Sequence, residues 1–144
     1  MNVKIFLMCI VLAASSSSAT DLQINAKRME ERIAALSQFG KNPEGGVSRV
    51  AFSDADIAGR NYIQTLLKEA GLQVRIDTAG NIIGKREGKN SSLAPIVFGS
   101  HIDSVPGGGN YDGDVGVIAA IECIEVLKET NQTTQHPLEV IVFS

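Results

Sequence analysis

His101 and Asp103 lie two residues apart, and Asp112 follows within the same glycine-rich stretch, GSHIDSVPGGGNYDG (99–113). Imidazole and carboxylate groups gathered this closely can ligate a divalent cation or move a proton. In extended backbone, residues two apart point to the same side. An aspartate at that spacing can accept one imidazole N–H, fix the tautomer and raise the basicity of the other nitrogen. Asp112 comes from the next turn and has two oxygens with which to span two cations. Glycines around it let the backbone approach closely and adopt positive φ.

Two other readings compete for this stretch. A glycine-rich turn before a helix can cradle phosphate. PGGGNYDGD, however, lacks the Lys-Ser/Thr ending and the dinucleotide spacing, and Asp112 and Asp114 would repel an anion. Alternatively, Asp112 or Asp114 simply serves as the N-cap of the following helix. An H-x-D pair alone separates these readings poorly. An H-x-D pair at a strand end, followed by glycines and an aspartate before a helix, favours a metal.

The elements that must position these residues can be read from periodicity. DLQINAKRMEERIAALSQFG carries a helical stripe, with Gly40 as its stop. KNPEGGVSRVAF reads as a loop; its Arg49 is either a contributor to the site or an ordinary loop cation. SDADIAGRNYIQTLLKEAG has Ser53 at an N-cap, Asp56 three residues on, and Gly71 at its end. LQVRID and NIIGKRE read as two strands, a hairpin or adjacent strands with one wet face. PIVFGS reads as a buried strand. DVGVIAAIECIEVLKE reads as a helix with Glu122, Glu125 and Glu129 on one face and Val117, Ile118, Ile121, Ile124 and Leu127 opposite. Cys123 is assigned to packing, and His136 to a solvated loop at the far end of the sheet from His101. LEVIVFS reads as a second buried strand. Strand, glycine loop, helix and strand make a βαβ unit, whose ligands sit beyond the strands' carboxyl ends. A chain ending on such a strand is expected to be the first part of a larger domain.

The chain has 144 residues, a formal charge of −3 and 44% hydrophobic residues. That composition is globular, and the lack of a basic excess argues against nucleic acid as a partner. Residues 1–19 read as a signal peptide: Lys4, the apolar run 5–14, then small residues with cleavage after Ala19. The expected location is therefore the periplasm or the exterior, with no membrane attachment after cleavage. Removing that segment takes Cys9 and leaves Cys123 alone, so no intrachain disulfide can form.

GSHIDSVPGGGNYDGDVGV, GGVSRVAFSDAD and AGLQVRIDTAGNIIGKREG resemble an amidohydrolase family. It comprises the N-carbamoyl-L-amino-acid hydrolases, the allantoate amidohydrolases and related ureido-amidases, within the aminoacylase/carboxypeptidase superfamily of two-metal hydrolases. The resemblance runs over 22–144. The GG-x-YDG form and SRVAFS tilt it toward the carbamoylase/allantoate branch. It implies an α/β fold, the N-terminal part of a mixed-sheet, aminopeptidase-like catalytic domain over 20–144, with a dimerisation domain absent. It implies His101 as a terminal metal ligand, Asp112 as a bridging ligand and Asp103 as the acid orienting His101. It implies two divalent metals, zinc or manganese with cobalt or nickel as alternatives, and a homodimer acting on an N-carbamoyl amino acid or ureide. The family's paired glutamates would follow Ser144, so these 144 residues alone are expected to be inactive. The resemblance also implies a cis peptide at Asp112–Gly113. Two alternatives stand beside this reading. One is an exported aminopeptidase or carboxypeptidase of the same superfamily. The other is a non-catalytic remnant that binds a partner through its terminal strand edge, to be disrupted by lysine at Val140 or Val142.

Overall fold

The computed structural model describes residues 22–144; the expected signal peptide, with Cys9, lies outside the described residues. In chain order the elements are α1 (Ala26–Leu36), α2 (Asp54–Glu69), β1 (Gln73–Ile76), β2 (Ile82–Arg86), β3 (Ile96–His101), α3 (Asp114–Glu129) and β4 (Leu138–Phe143). The four strands form one mixed sheet in the order β1-β2-β4-β3. β1 and β2 form the expected antiparallel hairpin, β2 pairs antiparallel with β4, and β3 runs parallel to β4. The βαβ unit is therefore present, as expected of a mixed α/β catalytic domain. Among the described residues no helix is long and apolar enough to cross a membrane.

Local chemistry explains the helix ends. Asn25 caps α1 by accepting from the Arg28 amide, so this helix begins later than the apolar stripe suggests. Ser53 caps α2 as expected, accepting from the Asp56 amide. The Asp56 carboxylate then accepts from the Phe52 amide at 2.8 Å, one residue before the cap. One buried cluster joins Leu36 of α1, Ile63 and Leu67 of α2, Ile118, Ile121 and Ile124 of α3, and Val140 and Val142 of β4. Gly116 lets α3 sit close to β3, since a Cβ there would lie 2.7 Å from that of Ser100.

Three expectations need correction. β3 is not buried: it forms a sheet edge, and Ile96 and Val97 are 52% and 49% exposed. Hydrophobic content alone could not place it there, because edge and centre differ only in pairing partners. β4, the terminal strand, is instead central, with Leu138, Val140 and Val142 buried. An edge model built on β4 therefore has no edge to use. Cys123 is exposed rather than packed. It falls one residue past buried Glu122, about 100° around the helix.

The glutamate face of α3 packs in part against α1. Glu122 and Glu125 are buried against α1. Arg28 donates to Glu122 from Nε at 2.7 Å and from Nη2 at 2.9 Å, and the Asn25 amide donates at 2.7 Å. Arg32 pairs with Glu125, and Arg28 also reaches Glu129. Burial works against the Glu122 charge, but Arg28, the Asn25 amide and Arg32 outweigh it and hold the carboxyl below its usual range. Such a group stabilises the fold fully above the ordinary carboxylate value of about 4.3. That contribution is lost as pH falls toward the depressed folded value. Replacing Arg28 with methionine strands a buried carboxylate and is expected to cost about 3 kcal/mol at neutral pH. The gap to the wild type should narrow as pH falls through the carboxylate range, which urea titrations at pH 7 and pH 4 would show.

Candidate metal centre

The sheet delivers His101 as the last residue of β3, level with Phe143 on β4. The chain then leaves the sheet through buried Ile102 and reaches Asp103. His101 Nδ1 lies 3.1 Å from Asp103 Oδ1 and 3.2 Å from the Asp103 carbonyl oxygen. Both acceptors select the tautomer with a proton on Nδ1, which leaves Nε2 with its lone pair. Asp112 closes the other side. His101, Asp103, Ser104, Val105, Gly108, Gly109 and Asp112 line one cleft of about 120 Å³. The structure therefore brings all three sequence-identified residues to the same cleft, at the carboxyl end of β3.

The turn before α3 is tightly specified. Gly113 is the N-cap with φ +72°, and no side chain caps the helix. Neither Asp112 nor Asp114 takes the capping role. Instead the Asp114 amide bonds the Asp112 carbonyl at 2.9 Å, and the Val115 amide bonds that of Tyr111 at 3.1 Å. The described residues contain no cis peptide, so the implied cis bond at Asp112–Gly113 is absent; the positive φ of Gly113 makes this turn. A Cβ on Gly113 would stand 2.5 Å from the His101 carbonyl oxygen and 2.6 Å from its imidazole Cε1. The imidazole thus rests directly on the glycine.

Segment 47–49 braces the loop from outside. The Val47 amide bonds Gly108 O at 2.9 Å, the Gly107 amide bonds Ser48 Oγ at 2.9 Å, and the Ser104 amide bonds Arg49 O at 2.7 Å. Arg49 itself is 1% exposed and ion-paired with Asp114 at 2.6 Å, so it is not an ordinary loop cation. Burial pushes the Asp114 carboxyl up, against the pull of Arg49. Little in the sequence announces this pair, because its partners are 65 residues apart. The Val-Ser-Arg run flanked by Gly46 was its only local signal.

His136 lies at the opposite end of the sheet, just before β4, and is half-buried with Nδ1 2.8 Å from Ala94 O. A larger cleft of about 330 Å³ lies between α1 and the loops, lined by Glu30, Ser37, Lys41, Asn110 and Tyr111 among others. No histidine or cysteine is among its lining residues, whereas His101 lines the smaller cleft. Among the described residues no cluster of three or more metal-capable side chains occurs.

Comparison with known proteins places the chain among hydrolase-like sequences. Residues 81–144 match the model of Peptidase family M28. The chain is 42% identical over 130 residues to a ureidoglycolate hydrolase of Arabidopsis thaliana, covering 90% of this chain and 27% of that protein. It is 39% identical over 121 residues to an N-carbamoyl-L-amino acid amidohydrolase of Geobacillus stearothermophilus, covering 84% of this chain and 30% of the relative. The crystal structure of a hydantoinase/carbamoylase family amidase from Burkholderia ambifaria superposes with a TM-score of 0.82 at 36% identity, over 84% of this chain and 30% of that one. The chain thus spans less than a third of the length of the relatives it matches.

Proposed function

We propose that this chain, which shares the sequence and fold of the hydantoinase/carbamoylase-type amidohydrolases over most of its length, contributes metal-binding residues to a hydrolase of linear amides. Its substrate would be an N-carbamoyl amino acid or a ureide such as allantoate, and the bond cleaved a C–N bond. The observation that carries this reading is the 3.1 Å contact from His101 Nδ1 to Asp103 Oδ1, beside Asp112 in one cleft. That contact leaves Nε2 as the imidazole donor, and the Asp112 carboxylate supplies an oxygen. Imidazole plus carboxylate suits zinc or manganese, with cobalt and nickel also acceptable. In the complete enzyme, a homodimer in this proposal, a bound metal pair would activate water and stabilise the developing oxyanion. Asp103 would hold the Nδ1 proton and orient the ring, and Asp112 would present its carboxylate to the same cleft. Two donors hold a cation weakly, so these 144 residues alone are expected to show no turnover. Export belongs to the same proposal, supported by Lys4, the apolar run and the small residues ending at Ala19.

The deciding assay offers an N-carbamoyl amino acid, allantoate and a dipeptide to the complete enzyme, after chelation and restoration of Zn²⁺ or Mn²⁺. Hydrolysis of either of the first two supports the proposal; hydrolysis of the dipeptide alone sinks it. The peptidase outcome is the second reading, favoured by the match of 81–144 to a peptidase family. A finer check concerns Asp103. Asp103→Asn retains an acceptor for the Nδ1 proton but loses the charge that raises the basicity of Nε2. Metal affinity should fall about 10–100-fold, read by competition with a chromophoric chelator.

A further inference from the structure

The guanidinium of Arg49 offers five N–H donors, and all three of its nitrogens are engaged. Nε donates to Ile102 O at 2.6 Å. Nη1 donates to Leu36 O at 2.8 Å and to Phe39 O at 3.0 Å. Nη2 donates to both oxygens of Asp114, at 2.7 and 2.6 Å. With 1% exposure and its charge already paired with Asp114, Arg49 is not open to a substrate carboxylate. Its contacts, however, fall at telling places. Ile102 is the residue between His101 and Asp103. Asp114 lies two residues past Asp112 and opens α3. Leu36 and Phe39 mark the end of α1. The backbone carbonyl of Arg49 adds a further tie, accepting from the Ser104 amide just after Asp103.

We propose that Arg49 is the positioning residue of the candidate metal pair: one buried side chain locks the His101–Asp103 segment to the turn that presents Asp112. The proposal rests on the metal reading above and deepens it. The two donors come from different elements, the end of β3 and the start of α3, so their separation depends on whatever joins those elements at the cleft. Arg49 joins them directly. Its acceptors are spread around a planar group, so a lysine, a single point donor, cannot reach them together. Charge is balanced within the pair, so replacing both partners by apolar residues of similar size preserves the core while removing the tie.

The test uses Arg49→Lys and the double variant Arg49→Met/Asp114→Leu beside the wild type. Two readouts are taken: Co²⁺ affinity by titration, and amide hydrogen exchange across 101–114 compared with β2 and β4. The proposal expects Co²⁺ binding about 10–100-fold weaker and faster exchange confined to 101–114, with the sheet protected as in the wild type. Folded variants with unchanged Co²⁺ affinity and unchanged exchange at 101–114 overturn it. Equal loss of protection in β2 and β4 also overturns it, since the role is then support of the whole core. If the wild type binds no Co²⁺, the metal reading fails, and the exchange pattern alone decides whether Arg49 holds the two segments together.

Discussion

Replacing Gly113 with alanine is expected to break the candidate metal centre while leaving the sheet standing. Two costs combine there. Alanine resists the φ of +72° that the turn requires, and strained backbone of this kind costs about 1–3 kcal/mol. The new methyl would also sit 2.6–2.7 Å from the His101 ring and 2.5 Å from the His101 carbonyl oxygen. The backbone oxygen is fixed in the β3–β4 region, so the ring and the turn must yield. The imidazole then leaves its contact with Asp103, and Asp112 moves with the turn. Melting curves should show a modest loss of stability, and metal titration a loss of at least tenfold, on the order of the effects seen when groups supporting a ligand are disturbed. A variant with wild-type metal affinity would mean that the glycine is not what seats the ring.

Lysine at Val140 should do the opposite and destroy the fold itself. Val140 is fully buried in the central strand, paired with Gly84 on one side and Phe98 on the other. The change forfeits about 1.5–3 kcal/mol of apolar burial and puts an unpaired ammonium into the core, at several kcal/mol more. A domain has only about 5–15 kcal/mol of net stability. Circular dichroism should therefore show an unfolded chain for Val140→Lys. Val97→Lys, on the exposed edge strand, should fall within about 0.5 kcal/mol of the wild type. The pair separates a central β4 from an edge β4: if Val140→Lys folds normally, the strand order is wrong.

The contrast between these two strands shows what could be read from the sequence and what could not. Element type was legible wherever a period or a cap announced it, as with Ser53 before α2, the β1–β2 hairpin and the β3–α3–β4 unit. Position within the sheet was not, because PIVFGS and LEVIVFS are equally apolar and only long-range pairing makes one an edge. The surroundings of the α3 glutamates were not legible for a related reason. A charged helical face normally meets solvent, and only the arrival of Arg28 and Arg32 from α1 turns it inward. At the site, His101, Asp103 and Asp112 were legible because they are local in sequence and chemically distinctive. Arg49 was ambiguous because its role depends on Asp114, Ile102, Leu36 and Phe39, none of them adjacent to it.

The most direct measurement is a Co²⁺ titration followed by its visible absorption, on the wild type, His101→Ala and Asp112→Asn. The wild type should show a weak, chelator-reversible site that is lost in both variants, while their circular dichroism spectra stay unchanged. Binding that survives both substitutions, or no binding in a folded wild type, would contradict it.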